Sequence, residues 1–153
     1  MNTCKSEYLK NKLADHVLRN IPFVSPATIW LGLCCSGIIE TDFAEVKEQK
    51  NAAVMTALRT GDLPAAKELP ESSNYVRQRA TFGTAPVNGL VKNTSEINFP
   101  QFTADVGLVT HFALFDAQTN GNVLYFGAFN LGRMVYMGDT FHIRLETLGV
   151  EDG

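Results

Sequence analysis

The chain has 153 residues, 13 of them basic and 16 acidic, for a formal net charge of −3. This length holds one well-buried domain and is short for two. No basic stripe forms on any expected strand or helix, which argues against a surface that tracks phosphates, and no apolar run is long enough to span a membrane.

No apolar segment follows Met1-Asn2-Thr3-Cys4-Lys5, so the start does not resemble a signal peptide. The expected setting is a cytoplasm, where Cys4, Cys34 and Cys35 stay thiols. Residues 6–19 read as a short amphipathic helix, with Leu9, Leu13 and Val17 at four-residue spacing and Lys10, Lys12 and Asp15 on other faces. It ends near Asn20, ahead of Pro22. Residues 28–35, rich in Ile, Trp and Leu, read as a buried strand. Between residues 41 and 69 the composition shifts to helix formers, with Asp42 as the expected N-cap and Gly61, Pro64 and Pro70 marking the exit. This stretch interrupts a β pattern and reads as a helical insertion. Its deletion, from Phe43 to Pro64, is expected to leave a folded domain that assembles poorly.

From Tyr75 onward the period is two. Residues 75–82 alternate between small or apolar and long polar side chains; Asn88-Gly89 suits a type I′ turn; residues 96–99 form a short strand stopped by Pro100. Residues 107–115 and 122–129 make a hairpin across the turn Asp116-Ala117-Gln118-Thr119-Asn120-Gly121. Residues 133–136 and 140–147 close a last pair over Met137-Gly138-Asp139, with Phe141, Ile143 and Leu145 on one face. In Leu124-Tyr125-Phe126-Gly127-Ala128-Phe129 both strand faces are apolar, so one is covered either by the insertion or by another subunit. The expected fold is mainly β: a single-domain antiparallel β-sandwich, jelly-roll or Ig-like, over residues 27–36 and 74–148. It carries the N-terminal helix at 6–19 and the helical insertion at 41–69.

No cluster suited to chemistry emerges. His16, His111 and His142 fall on separate elements without ligand spacing to a Cys, Asp or Glu. Cys34 and Cys35 are strand neighbours that point to opposite faces and cannot readily chelate one ion. Ser25, Ser36, Ser72, Ser73 and Ser95 lack the glycine frame of a nucleophile elbow. Asp105, Asp116, Asp139 and Glu146 sit outside any twelve-residue calcium loop and suit turn capping. No catalytic, cofactor-binding or metal-ligating residue is assigned, and no cofactor.

Several blocks in order carry a resemblance: residues 8–19, then Ser25-Pro26-Ala27-Thr28-Ile29-Trp30-Leu31-Gly32-Leu33, Tyr75-Val76-Arg77-Gln78 with Thr81-Phe82, and Ile97-Asn98-Phe99-Pro100. They continue through Thr110-His111-Phe112-Ala113-Leu114-Phe115-Asp116, residues 121–125 and Gly138-Asp139-Thr140-Phe141. Together they resemble a family of small tailed-phage virion proteins usually labelled tail-fibre proteins, everywhere except about residues 40–70, where that family more often has a short loop. The resemblance implies a virion component without enzymatic role, assembled in the host bacterial cytoplasm.

Within that frame the first expectation is an exterior capsid decoration or cement subunit, docking on the shell through its termini and its insertion. A tail-fibre, tail-tip or adaptor subunit is the alternative. A third reading, a carbohydrate-binding module, would use exposed aromatics such as Trp30 or Tyr125. Expected partners are the major capsid protein or tail proteins of the same virion and further copies of the chain, with no nucleic acid and no membrane.

Overall fold

The computed structural model describes residues 3–84 and 89–151. In chain order run β1 (Thr3–Lys5), α1 (Glu7–Leu18), β2 (Ile29–Cys34), α2 (Ala44–Thr60), α3 (Leu63–Ala66) and β3 (Gln78–Ala80). After these come β4 (Leu90–Lys92), β5 (Ile97–Asn98), β6 (Gly107–Phe115), β7 (Val123–Val135), β8 (His142–Ile143) and β9 (Gly149–Glu151). The fold is mainly β and antiparallel, with a few helices. A five-stranded sheet has the order β1-β7-β6-β2-β3, and two ribbons, β4-β9 and β5-β8, form a second, broken layer.

Strand alternation divides the sheet's side chains between two cores. Leu31, Leu33, Phe112 and Leu114 point to the ribbons and pack with Ile97, Phe99, Phe102, Phe141, Ile143, Leu148 and Val150. Cys34, Ala113, Phe115, Val123 and Phe126 point the other way, where Val54, Ala57 and Leu58 of α2 and Ala66 of α3 cover them. The helical stretch expected as an insertion therefore covers a second core. The doubly apolar face of residues 124–129 is covered by α2, not left for another subunit.

Local chemistry sets the helix ends. Ser6 caps α1, accepting from the Leu9 N–H at 3.2 Å while its hydroxyl donates to the Val123 carbonyl. α2 stops at Gly61, whose φ of +80° suits a residue without a Cβ. Asp42 is not the cap of α2: Phe43 holds that position with no side-chain bond, and the Asp42 carboxylate accepts instead from the Ile39 N–H at 3.0 Å and Lys50 Nζ at 2.7 Å.

Strand β6 has its expected bounds, whereas β7 fuses two expected strands into one. Four β7 residues, Phe129 to Gly132, lie opposite Thr110 alone, so a wide bulge joins the two paired halves. The expected hairpin of residues 133–136 with 140–147 does not form; Arg133 and Met134 pair with β6, and β8 pairs with β5. Phe141 and Ile143 are buried and Leu145 is exposed, because residues 144–148 wrap around the buried Asn93. Its Nδ2 donates to the Arg144 carbonyl and its Oδ1 accepts from the Leu148 N–H, both at 2.9 Å. The strand expected over residues 75–82 shortens to β3. Of the Asn88-Gly89 turn, Asn88 lies outside the described residues, and Gly89 has a φ of +71°.

Candidate functional site: buried polar centres and locked surface turns

The most polar interior point joins four segments. Residues 67–69 extend the β3 side of the sheet along the end of β2: Cys35 N–H donates to the Lys67 carbonyl at 3.1 Å and Leu69 N–H to the Leu33 carbonyl at 3.0 Å. That places Glu68 over Gly32, where the missing side chain leaves room. A Cβ there would lie 2.7 Å from Phe115 Cε2, 2.8 Å from Glu68 Oε2 and 2.9 Å from the Tyr75 hydroxyl. Arg77, 4% exposed, donates to both Glu68 oxygens, from Nε at 2.7 Å and Nη2 at 2.8 Å. Its Nη1 donates to the carbonyls of Ala117 at 2.9 Å and Asn120 at 2.7 Å, and its guanidinium stacks 3.4 Å from the Phe115 ring centre.

Tyr75 completes the centre. Its hydroxyl donates to Glu68 Oε2 at 2.5 Å and accepts from the Leu33 N–H at 3.0 Å. Burial, and then the Glu68 charge, push the Tyr75 phenol above its ordinary range and hold the Cys34 thiol protonated in the same way. A phenol and a thiol that keep their protons are poor acids and poor nucleophiles, and the hydrogen bonds of the centre hold the backbone of β2 and of the turn after β6. Residues 116–121 are fixed by it, helped by Asp116, whose carboxylate accepts from the Asn122 N–H at 2.7 Å.

A second centre links β2 and β6. Thr110 Oγ1 lies 2.7 Å from His111 Nδ1, donates to Ser36 Oγ at 3.1 Å and accepts from the Ser36 N–H at 3.2 Å. All three residues are buried, and burial lowers the His111 pKa to about 4. The imidazole is thus neutral near pH 7 and the hydroxyls have no open face, an arrangement that pins strands together.

The other candidates lie apart. His16 is exposed at the end of α1 with Nδ1 3.1 Å from the Ile21 carbonyl, and His142 is exposed on β8. Cys34 belongs to the second core, while Cys35 packs against the first. Asp105 accepts from the Met137 N–H at 2.8 Å and Asp139 from the Tyr136 N–H at 2.9 Å, both as turn caps. Glu146 takes a positive φ of 60° in the turn around Asn93. Ser25 is exposed; Ser73 donates to the Pro70 carbonyl at 2.6 Å, and Ser95 Oγ lies 3.1 Å from Thr81 Oγ1. Among the described residues no group of His, Cys, Asp and Glu is placed to hold a metal ion, and no helix is long and apolar enough to cross a membrane.

Sequence reading missed Glu68, Tyr75, Arg77 and Asn93. The one local signal is Gly32 inside an otherwise bulky apolar strand, which marks a close approach without naming what approaches. Of the aromatics considered for sugar stacking, Trp30 is half-buried against the second core and Tyr125 against the first. Tyr125 also lines an apolar cleft of about 190 Å³ with Ile29, Phe82, Val91, Leu114 and Val150. Apolar side chains are exposed elsewhere: on the end of α1 and the segment after it, on the turn before α2, and around the distal half of β7.

Polar groups are hydrogen-bonded inside, and apolar groups stand exposed on the turns outside. Residues 37–151, more than half of the chain, match the family described as podophage GP4 fiber I protein gp80, and the chain belongs to that family. It is thereby a structural protein of a bacteriophage, as the resemblance implied. The match runs through residues 41–69, where the resemblance was expected to lapse. No curated protein matches the chain.

Proposed function

We propose that the chain is a non-enzymatic, fibre-associated structural subunit of a podophage virion, joined to other virion proteins by its exposed apolar turns. The observation that carries this reading is the family match, which spans α2, β6, β7 and both ribbons, and so most of the elements that build the two cores, with β2 lying before its start. The four hydrogen bonds of the buried Arg77 and the burial of Ser36, Thr110 and His111 support a rigid contact module in place of a reaction site.

A second reading, an exterior capsid decoration subunit, is favoured by one feature. The sequence has no heptads and no fixed repeat from which a shaft could be made, and the described residues fold around the one central sheet. Copies per virion, measured by quantitative mass spectrometry against the major capsid protein, separate the two. A low multiple matching fibre symmetry is the expected result; a ratio near the capsid subunit count would replace the fibre reading with decoration.

A further inference from the structure

Two of the uncovered apolar patches are each held in a fixed shape by hydrogen bonds. Along one face of α1 exposure rises steadily, from Leu9 at 5% through half-buried Leu13 to Val17 at 73%, and Leu18, beside Val17 in the last turn, is 81% exposed. The helix therefore docks by its first turns and stands clear of the body by its last. Its end is not frayed. The N–H groups of Arg19 and Ile21 both donate to the Asp15 carbonyl, at 3.0 and 3.2 Å, and Asn20 takes a left-handed φ of 57°. His16 Nδ1 closes the turn on the Ile21 carbonyl at 3.1 Å. Val17, Leu18 and Ile21 are thus displayed on a locked knob.

The second patch is the turn before α2. Ile39 and Phe43 are exposed, Phe43 to 82%. Asp42 ties this turn: its carboxylate accepts from the Ile39 N–H and from Lys50, and Lys50 also donates to the Gly37 carbonyl at 2.9 Å. Surfaces fixed in advance lose little conformational freedom on association, and a large exposed aromatic is a common energetic anchor.

The segments that carry the patches differ in net charge, although Arg19 at the end of α1 is itself paired with Asp15 at 3.2 Å. Residues 3–24 hold Lys5, Lys10, Lys12 and Arg19 against Glu7 and Asp15, a net of about two positive charges. Residues 38–50 hold Glu40, Asp42, Glu45 and Glu48 against Lys47 and Lys50, a net of about two negative charges. Lys10 shares the α1 face of Val17, about two turns nearer the start of the helix. Each copy thus contains both halves of a complementary contact.

We propose that a second copy of this chain covers these patches, the apolar end of α1 with Lys10 seating on Ile39 and Phe43 beside Glu40, Glu45 and Glu48 of its neighbour. Because the two halves differ, one copy can engage neighbours through both. Other occupants, such as a different virion protein, are outcomes the experiment distinguishes.

The test uses the full chain with Cys4→Ser, which removes the exposed native thiol. Self-association is followed by sedimentation over a range of concentrations, for the parent and for Val17→Asp/Leu18→Asp and Phe43→Asp variants. A Leu18→Cys protein is also mixed with a Phe43→Cys protein under mild oxidation. All the altered side chains are exposed, and an unchanged thermal melt confirms the fold of each variant. The expected result is a concentration-dependent oligomer in the parent, its loss in both Asp variants, and a disulfide that joins Leu18→Cys to Phe43→Cys copies in preference to like pairs. A parent that stays monomeric, an oligomer that survives both Asp variants, or like-pair disulfides alone would overturn the proposal. Self-association is measured on the isolated protein, so its failure leaves the virion assignment standing, and a copy number that contradicts the fibre reading leaves this contact standing.

Discussion

Replacing Arg77 by Met keeps most of the side-chain volume over Phe115 and removes all four hydrogen bonds to Glu68, Ala117 and Asn120. Breaking a buried ion pair from one side costs about 3–5 kcal/mol, because the remaining charge stays desolvated. The Glu68 side chain is 22% exposed, so water recovers part of that, while the two loop carbonyls lose their charged donor at about 1–3 kcal/mol each. These overlapping terms give about 4 kcal/mol for Arg77→Met, a large share of the roughly 5–15 kcal/mol that holds a domain of this kind together. Glu68→Gln should cost about 2 kcal/mol, since the amide still accepts from Tyr75 and Arg77 but no longer neutralises the guanidinium. The double variant should fall short of the sum by about 2 kcal/mol, within the coupling range for residues in one network. Urea unfolding at constant m value measures all three. A single-variant cost below about 1 kcal/mol, or a cycle that closes additively within about 0.5 kcal/mol, would refute the idea that this centre holds residues 116–121 to the sheet.

Two further outcomes test the cores. Leu58→Ala should destabilise by about 3 kcal/mol, as a fully buried leucine facing Phe115 and Phe126 does, and deletion of residues 43–64 should abolish cooperative melting; a deletion protein that melts sharply would show α2 to be an appendage. His111 stays neutral in the fold down to about pH 4, while the unfolded chain protonates it near 6.5, so between those values the unfolded state binds more protons and stability falls as the pH drops. From pH 7.5 to 5 this contributes a loss of about 2 kcal/mol, which His111→Asn, keeping a donor near Thr110 without a titrating ring, should remove; an unchanged pH profile in that variant would show that other groups set the acid sensitivity.

Where neighbours along the chain decide the conformation, the sequence could be read closely. β6 alternates without interruption between its two faces and has the expected bounds of 107 and 115. α1 and α2 sit within about a residue of their periodic stretches, though the cap of α2 was misassigned because Asp42 found stronger partners in Ile39 and Lys50. Where a distant residue decides, alternation misled. In residues 75–77 the apolar Val76 faces water and the charged Arg77 is interior, because Glu68 lies nine positions before it and the accepting carbonyls 40 and 43 positions after it. Nothing local separates Arg77 from the exposed Arg79. Likewise Leu145 continues the period of Phe141 and Ile143, yet Asn93, 51 positions before Arg144, takes the backbone that a strand would have used.

In the helical stretch, opposite sequence features pointed for and against a second core. A strand with apolar residues on both faces requires two covers, and residues 124–129 stated that requirement. α2 itself argued against supplying one, since its buried contribution is confined to Val54, Ala57 and Leu58 among many charged neighbours. Three side chains suffice because the opposing surface is aromatic, with Phe115 and Phe126 filling space that a richer helix face would otherwise fill. The same frugality explains the exterior. A helix that commits so few residues inward leaves its outer face and the turn before it free to vary, and Phe43, at the very start of α2, is left exposed on a turn that Asp42 and Lys50 hold still. The bounds of the family match, residues 37–151, enclose this helix and the turn before it, in keeping with a helix that belongs to the core of the fold.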